Sequence, residues 1–197
     1  INNCDFIPTP LAEEERRAFM ALGDGQPVHL TLAYHWARMI ELLHATEAIK
    51  ELLLDPDIFG EERVVRGEMA REGIGVIEAP RGTLFHHYRI DEDGLIEKAN
   101  LIVSTTNNNQ AMNESIRQVA ERYLDGKELT EPLLNQIEVA VRAYDPCLSC
   151  ATHALGRMPL IVELMEEASG AVMDSLARDA DGTVRSEMTS PSRSGFA

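Results

Sequence analysis

Cysteine is scarce in this chain: Cys4, Cys147 and Cys150 are the only three among 197 residues. Three thiols make no disulfide framework of the kind that staples small secreted domains. Basic residues are also few, 18 Lys and Arg against 33 Asp and Glu, for a formal charge of −15. That balance excludes nucleic-acid binding through a basic surface. No apolar run reaches membrane-spanning length, and the run at Leu52 to Leu54 stops at Asp55-Pro56. No signal peptide and no internal repeat is visible, so a cytoplasmic, reduced setting is expected. The length suits one domain with a sizeable core.

The periodicity predicts an α+β, helix-rich chain. Leu11 to Leu22 reads as a short helix ended by Gly23-Asp24-Gly25. His29 to Leu54 follows, with Leu32, Trp36, Met39, Ile40, Leu43 and Ile49 mostly at helical intervals and Asp55-Pro56 as its stop. His35 and His44 have no partner at ligand spacing and read as packing or surface residues. Gly73 to Ala79 and Thr83 to Ile90 have strand composition. Asp91-Glu92-Asp93-Gly94 is then a hairpin turn before Leu95 to Val103. The acidic turn lacks the later ligands of an EF-hand. Asn107-Asn108-Asn109 interrupts the pattern before a helix from about Gln110 to Leu124. Thr130-Glu131-Pro132 starts another that runs to Ala143. Met158 to Leu164 suggests a strand. Beyond Glu166 the chain is polar, and weak order is expected. The expected organisation is a domain over residues 1–164 and a polar tail over 165–197.

The chemistry concentrates in Asp145-Pro146-Cys147-Leu148-Ser149-Cys150-Ala151-Thr152-His153. In a helix, Cys147, Cys150 and His153 fall within roughly 120° of arc. Asp145 suits an N-cap and Pro146 the first helical position, which would put both thiols near the positive end of the dipole and favour thiolates. Haem attachment is excluded, because Ala151 follows the second cysteine. Spacing alone leaves open a metal site, a redox dithiol and two small buried residues.

The whole string resembles the C-terminal nickel-binding signature of the large subunit of [NiFe] hydrogenases. Glu78-Ala79-Pro80-Arg81-Gly82-Thr83-Leu84 and Ala99-Asn100-Leu101-Ile102-Val103-Ser104-Thr105-Thr106-Asn107-Asn108 resemble two further segments of that family, in the same order. The likeness covers most of residues 30 to 160 and looks most like the cytoplasmic, bidirectional branch linked to NAD(P). It implies the C-terminal part of the large-subunit fold, with a small antiparallel β element.

The same resemblance implies the cofactors and the residues around them. Cys147 would be a terminal nickel ligand, and Cys150 would bridge nickel to an iron carrying carbon monoxide and cyanide. Soft thiolates suit a nickel whose oxidation state changes. Arg81 would lie above the metals and Asp145 would pair with it. Ala79 and Pro80 shape that approach, Leu84 and Val103 give carbon monoxide an apolar lining, and Ser104 and Thr105 would hydrogen-bond cyanide. His153, with the backbone carbonyl of Leu101, would bind magnesium.

Two departures accompany the likeness. The family's early Arg-x-Cys-Gly-x-Cys motif is absent, and Cys4 stands alone in Asn3-Cys4-Asp5. The start at Ile1-Asn2-Asn3 therefore reads as a truncated frame or a split subunit, inactive alone. Residues 154–197 follow the histidine after which a maturation endopeptidase cuts in the family, so an extension beginning after His153 is expected, cleaved or retained. Implied partners are an iron–sulfur small subunit, since no cluster-binding cysteine set occurs here, diaphorase subunits, the endopeptidase and a nickel chaperone. Two alternatives remain: a non-enzymatic hydrogenase-like subunit, and a simple dithiol protein.

Overall fold

The computed structural model describes residues 1–126, 128–147, 160–179 and 181–186. They fall into two compact units, Ile1–Asn107 and Asn108–Ala197. The first unit holds α1 (Pro10–Met20), a 3-10 turn at Ala21–Gly23, α2 (Ala33–Leu54) and a second 3-10 turn at Pro56–Phe59. An antiparallel meander follows, β1 (Glu72–Ala79), β2 (Gly82–Ile90) and β3 (Ile96–Ile102). The mixed, helix-rich class expected from the sequence holds.

Helix α1 starts with Pro10 and is capped from another helix. Its Leu11 and Ala12 N–H groups donate to the Glu47 carboxylate of α2 at 3.1 and 2.9 Å. One turn earlier on α2, His44 Nδ1 meets the hydroxyl of buried Thr9 at 2.9 Å. His44 is thus a packing residue, as expected, and His35 likewise contacts Arg38 within its own helix. Ile7, Ala12, Phe19, Val28 and Ile40 form the core, against which Trp36 and Leu43 pack. Phe19 and Trp36 meet edge-on at 5.6 Å, a favoured aromatic geometry.

Two helix starts differ from expectation. Helix α2 begins at Ala33 rather than His29, because Leu30 to Leu32 form i→i−3 turns, such as Ala33 N–H to Leu30 O at 2.9 Å. The spacing of Leu32 and Trp36 fits either boundary. Helix α3 (Ser104–Tyr123) begins six residues before Gln110 and includes the Asn run. Short polar side chains are poor helix formers in an interior but are favoured near a helix start, where N–H groups need partners. Asn107 also donates its side-chain amide to Thr83 O at 2.9 Å, which fastens the start of α3 to β2. The acidic turn is a hairpin turn as expected. Asp91 Oδ1 accepts the N–H groups of Asp93 and Leu95, both at 2.9 Å.

In the second unit, α4 (Glu131–Ala143) is capped by the Thr130 hydroxyl and buries Leu133, Leu134, Ile137, Ala140 and Ala143. Tyr144, just past its end, donates to Ala111 O at 2.9 Å and meets the Ser115 hydroxyl at 2.7 Å, joining α3 to α4. A second antiparallel meander comprises β4 (Leu160–Met165), β5 (Val172–Arg178) and β6 (Val184–Ser186). The weak order expected beyond Glu166 is therefore corrected over β5 and β6. Ser175, Leu176 and Ala177 are buried, Arg178 reaches Glu138 of α4 at 2.9 Å, and the Leu129 N–H donates to Asp174 at 2.6 Å. Strand pairing and these anchors outweigh the polar composition that suggested a loose tail.

The acid stability of the first unit follows from Glu13. The Arg16 guanidinium and the Ile7 N–H hold its carboxyl down from 4.5 to about 2, with Arg17 adding to the effect. A lowered folded-state value means the contribution is complete above about pH 4.5 and is lost as pH falls toward 2. Denaturant unfolding followed by the fluorescence of Trp36, the single tryptophan, should show a midpoint that falls across this window. Glu13→Gln should flatten that fall; an unaltered acid slope would remove Glu13 from the account.

Candidate metal centre

The strands on either side build the Pro80-Arg81 turn. Ala79 and Gly82 form the last register pair of β1 and β2, which leaves only Pro80 and Arg81 in the loop. Gly82 adopts φ 123°, a region that L side chains rarely enter. Arg81 is thereby held, half-buried, at the tip of a short and defined loop.

Beside this turn lies a cavity of about 540 Å³ within the first unit. Ala79, Pro80, Gly82 and Thr83 form one wall, Tyr34, Ala37, Arg38 and Glu41 of α2 another, and residues 1–4 complete it. Cys4 lines the same space and its thiol donates to Phe6 O at 2.8 Å. Burial, and then the Glu78 carboxylate, raise the Glu41 carboxyl above its ordinary value. Sequence reasoning missed Glu41. Its signal was a single carboxylate inside the apolar run Met39-Ile40-Glu41-Leu42-Leu43.

The remaining sequence-predicted residues form two groups. In the first unit, Leu84 and Leu101 lie on one face of the sheet, since Leu101 pairs with His86, two residues beyond Leu84. Val103 is exposed between β3 and α3. Ser104 is buried and Thr105 half-buried in the first turn of α3, ahead of the helix start at about Gln110 that the sequence suggested. In the second unit stand Asp145 and Cys147.

Asp145 requires a correction. Its N–H bonds to Arg142 O at 3.0 Å and its φ is 48°, so it is the left-handed residue that ends α4, not the extended N-cap of a new helix. Aspartate tolerates this conformation better than most side chains. Cys147 follows two residues later, half-buried and bound in a disulfide. Cys150, His153 and the expected motif helix lie outside the described residues. Among the described residues, no three His, Cys, Asp or Glu side chains gather as a metal-binding group. The fit to a metal therefore rests on the donor chemistry of the string, whose two cysteines and histidine suit a soft ion once the sulfurs are reduced to thiolates.

Residues 24–153 match the nickel-dependent hydrogenase family, a span that contains every site residue predicted from the sequence and ends at His153. The chain is 54% identical over 182 residues to the NAD-reducing hydrogenase HoxS subunit beta of Cupriavidus necator, covering 90% of this chain and 37% of that protein. It is 44% identical over 177 residues to an F420-non-reducing hydrogenase iron-sulfur subunit of Archaeoglobus profundus, covering 88% and 36%. Its structure is similar to that of an NAD+-reducing [NiFe]-hydrogenase in the H2-reduced state. The TM-score is 0.71 and the identity 56%, over 77% of this chain and 34% of that one. The chain thus spans about a third of the length of these relatives.

Gly82→Ala should destabilise the first unit by about 1–3 kcal/mol, because an alanine must either adopt the strained φ or open the turn. Denaturant titration with Trp36 fluorescence measures this, and an unchanged midpoint would show that the turn relaxes without cost.

Proposed function

The chain belongs to the nickel-dependent hydrogenase family, and we propose that it forms the C-terminal part of a large, catalytic hydrogenase subunit. Its reaction is the reversible oxidation of dihydrogen to two protons and two electrons at a nickel–iron centre. The observation that carries this reading is the family match over residues 24–153, which takes in the whole string from Asp145 to His153. The rest of such a subunit, with the other thiolate pair, would come from polypeptide beyond these residues.

When bound, the centre of nickel and an iron with carbon monoxide and cyanide supplies the redox-active point at which dihydrogen is split heterolytically. Cys147 would hold nickel and Cys150 would hold nickel and iron, each as a thiolate, so the Cys147 disulfide must first be reduced. Arg81 presents a permanent, planar charge from its fixed turn, and Asp145 balances it. Ser104 and Thr105 sit in the first turn of α3, where N–H groups have no partner within the helix. That setting supports hydrogen bonding to cyanide. Ala79, Pro80, Leu84 and Val103 make the lining around the diatomic ligands. His153 and the Leu101 carbonyl are assigned to magnesium.

Electrons would leave to an iron–sulfur small subunit and then to diaphorase subunits in a cytoplasmic complex. The relative named as an NAD-reducing hydrogenase supports that arrangement. A nickel chaperone and an endopeptidase acting after His153 complete the maturation. A second reading, a dithiol redox protein, draws on the Cys147 disulfide. Nickel stoichiometry in the assembled complex separates the two: one nickel per chain for the hydrogenase, none for the dithiol protein or for a non-enzymatic hydrogenase-like subunit.

In the assembled enzyme, Cys150→Ser should abolish the nickel–iron centre, and metal analysis showing unchanged nickel and iron would sink the assignment. Arg81→Lys should retain the metals yet lower dihydrogen turnover by roughly 10²–10³, because lysine lacks the planar fork. Full turnover in that variant would take Arg81 out of the mechanism.

A further inference from the structure

Glu41 is the titratable group that the proposed function leaves unused. It stands in the middle of α2, next to buried Ile40, and lines the cavity beneath the Pro80-Arg81 turn. The other half-buried or shielded carboxylates of this unit have structural partners. Glu13 holds two arginines and the Ile7 N–H, and Glu47 caps α1. Glu41 accepts no hydrogen bond and forms no ion pair among the described residues. A carboxylate without a structural bond, facing a space large enough for several waters at about 30 Å³ each, is free to exchange protons with them.

We propose that Glu41 is a proton-relay residue, exchanging protons with the cavity under the Arg81 turn and passing them through water to Glu78, which is exposed on β1. The proposal rests on the hydrogenase reading, in which every dihydrogen oxidised releases two protons that must be carried away. Each transfer forms one O–H bond at the Glu41 carboxylate and breaks it when the proton moves on; no electrons pass through the side chain. Burial, with the like charge of Glu78, favours the neutral acid, so the group cycles nearer to working pH than an exposed glutamate does. The other side chains that face it oppose this, His44 and then Arg38 on α2. The Cys4 thiol lines the same cavity.

The test is the pH dependence of dihydrogen oxidation by the assembled complex, read beside its nickel content. A relay must be deprotonated to accept a proton, so the acid limb of the profile should report Glu41. Glu41→Gln should keep nickel, lose at least about tenfold in turnover and lose that limb, while Glu41→Asp restores part of both. Glu78→Gln removes the like charge and should move the limb to lower pH. A wild-type rate and profile in Glu41→Gln, or an unmoved limb in Glu78→Gln, overturns the relay. If Glu41→Gln assembles without nickel, the Glu78→Gln profile alone decides. A wild-type complex with neither nickel nor turnover sinks the hydrogenase reading itself, and the relay with it.

Discussion

Helix α2 sets the constraint on which the first unit depends: it carries apolar residues on every side, and those residues need cover all round. Here α1 covers one side. Phe19 against Trp36, Thr9 against His44, and the Glu47 carboxylate at the start of α1 fix that contact. The opposite faces stay bare, with Met39, Leu42, Ile49, Leu52, Leu53 and Leu54 each more than half exposed. The meander has the same character, since Ile74 and Val76 on one face of β1 and Ile77 on the other are all exposed. Exposed apolar surface this extensive is costly in water and marks an interaction site. It accords with a chain that spans about a third of its relatives' length.

The residues to which a chemical role is proposed sit where rigid elements end. Arg81 occupies a two-residue loop between paired strands, Ser104 and Thr105 open α3, and Asp145 closes α4. Each position offers something an element's interior lacks: a side chain on a loop, N–H groups outside the helical bonding pattern, or a backbone turn that re-aims the chain. Asn107 adds a tie between two of them, since its bond to Thr83 O holds the first turn of α3 against the strand leaving the Arg81 loop.

Elements with strong local codes were legible from sequence. The Thr130-Glu131-Pro132 start of α4 and the Asp91–Gly94 turn specify backbone through nearest neighbours, and both stand as read. Boundaries set by distant partners were not legible. The start of α3 depends on Thr83, twenty-odd residues away, and the strands after Glu166 depend on Arg178 and Asp174 finding Glu138 and Leu129. Glu41 was missed for a related reason. In sequence it is one carboxylate on a helix, and only the fold of β1 and β2 beside α2 makes it the wall of a cavity.

The correction at Asp145 changes the electrostatic argument for the thiol pair. A new helix starting at Pro146 was expected to favour thiolates through its positive end, but the described geometry gives Cys147 the opposite neighbour. The chain leaves the C-terminal end of α4, whose last carbonyls carry partial negative charge, and then passes the Asp145 carboxylate. Such a negative surround attracts a cation. The dipole argument for the thiols therefore falls away, and what remains at Cys147 is the donor chemistry of sulfur itself.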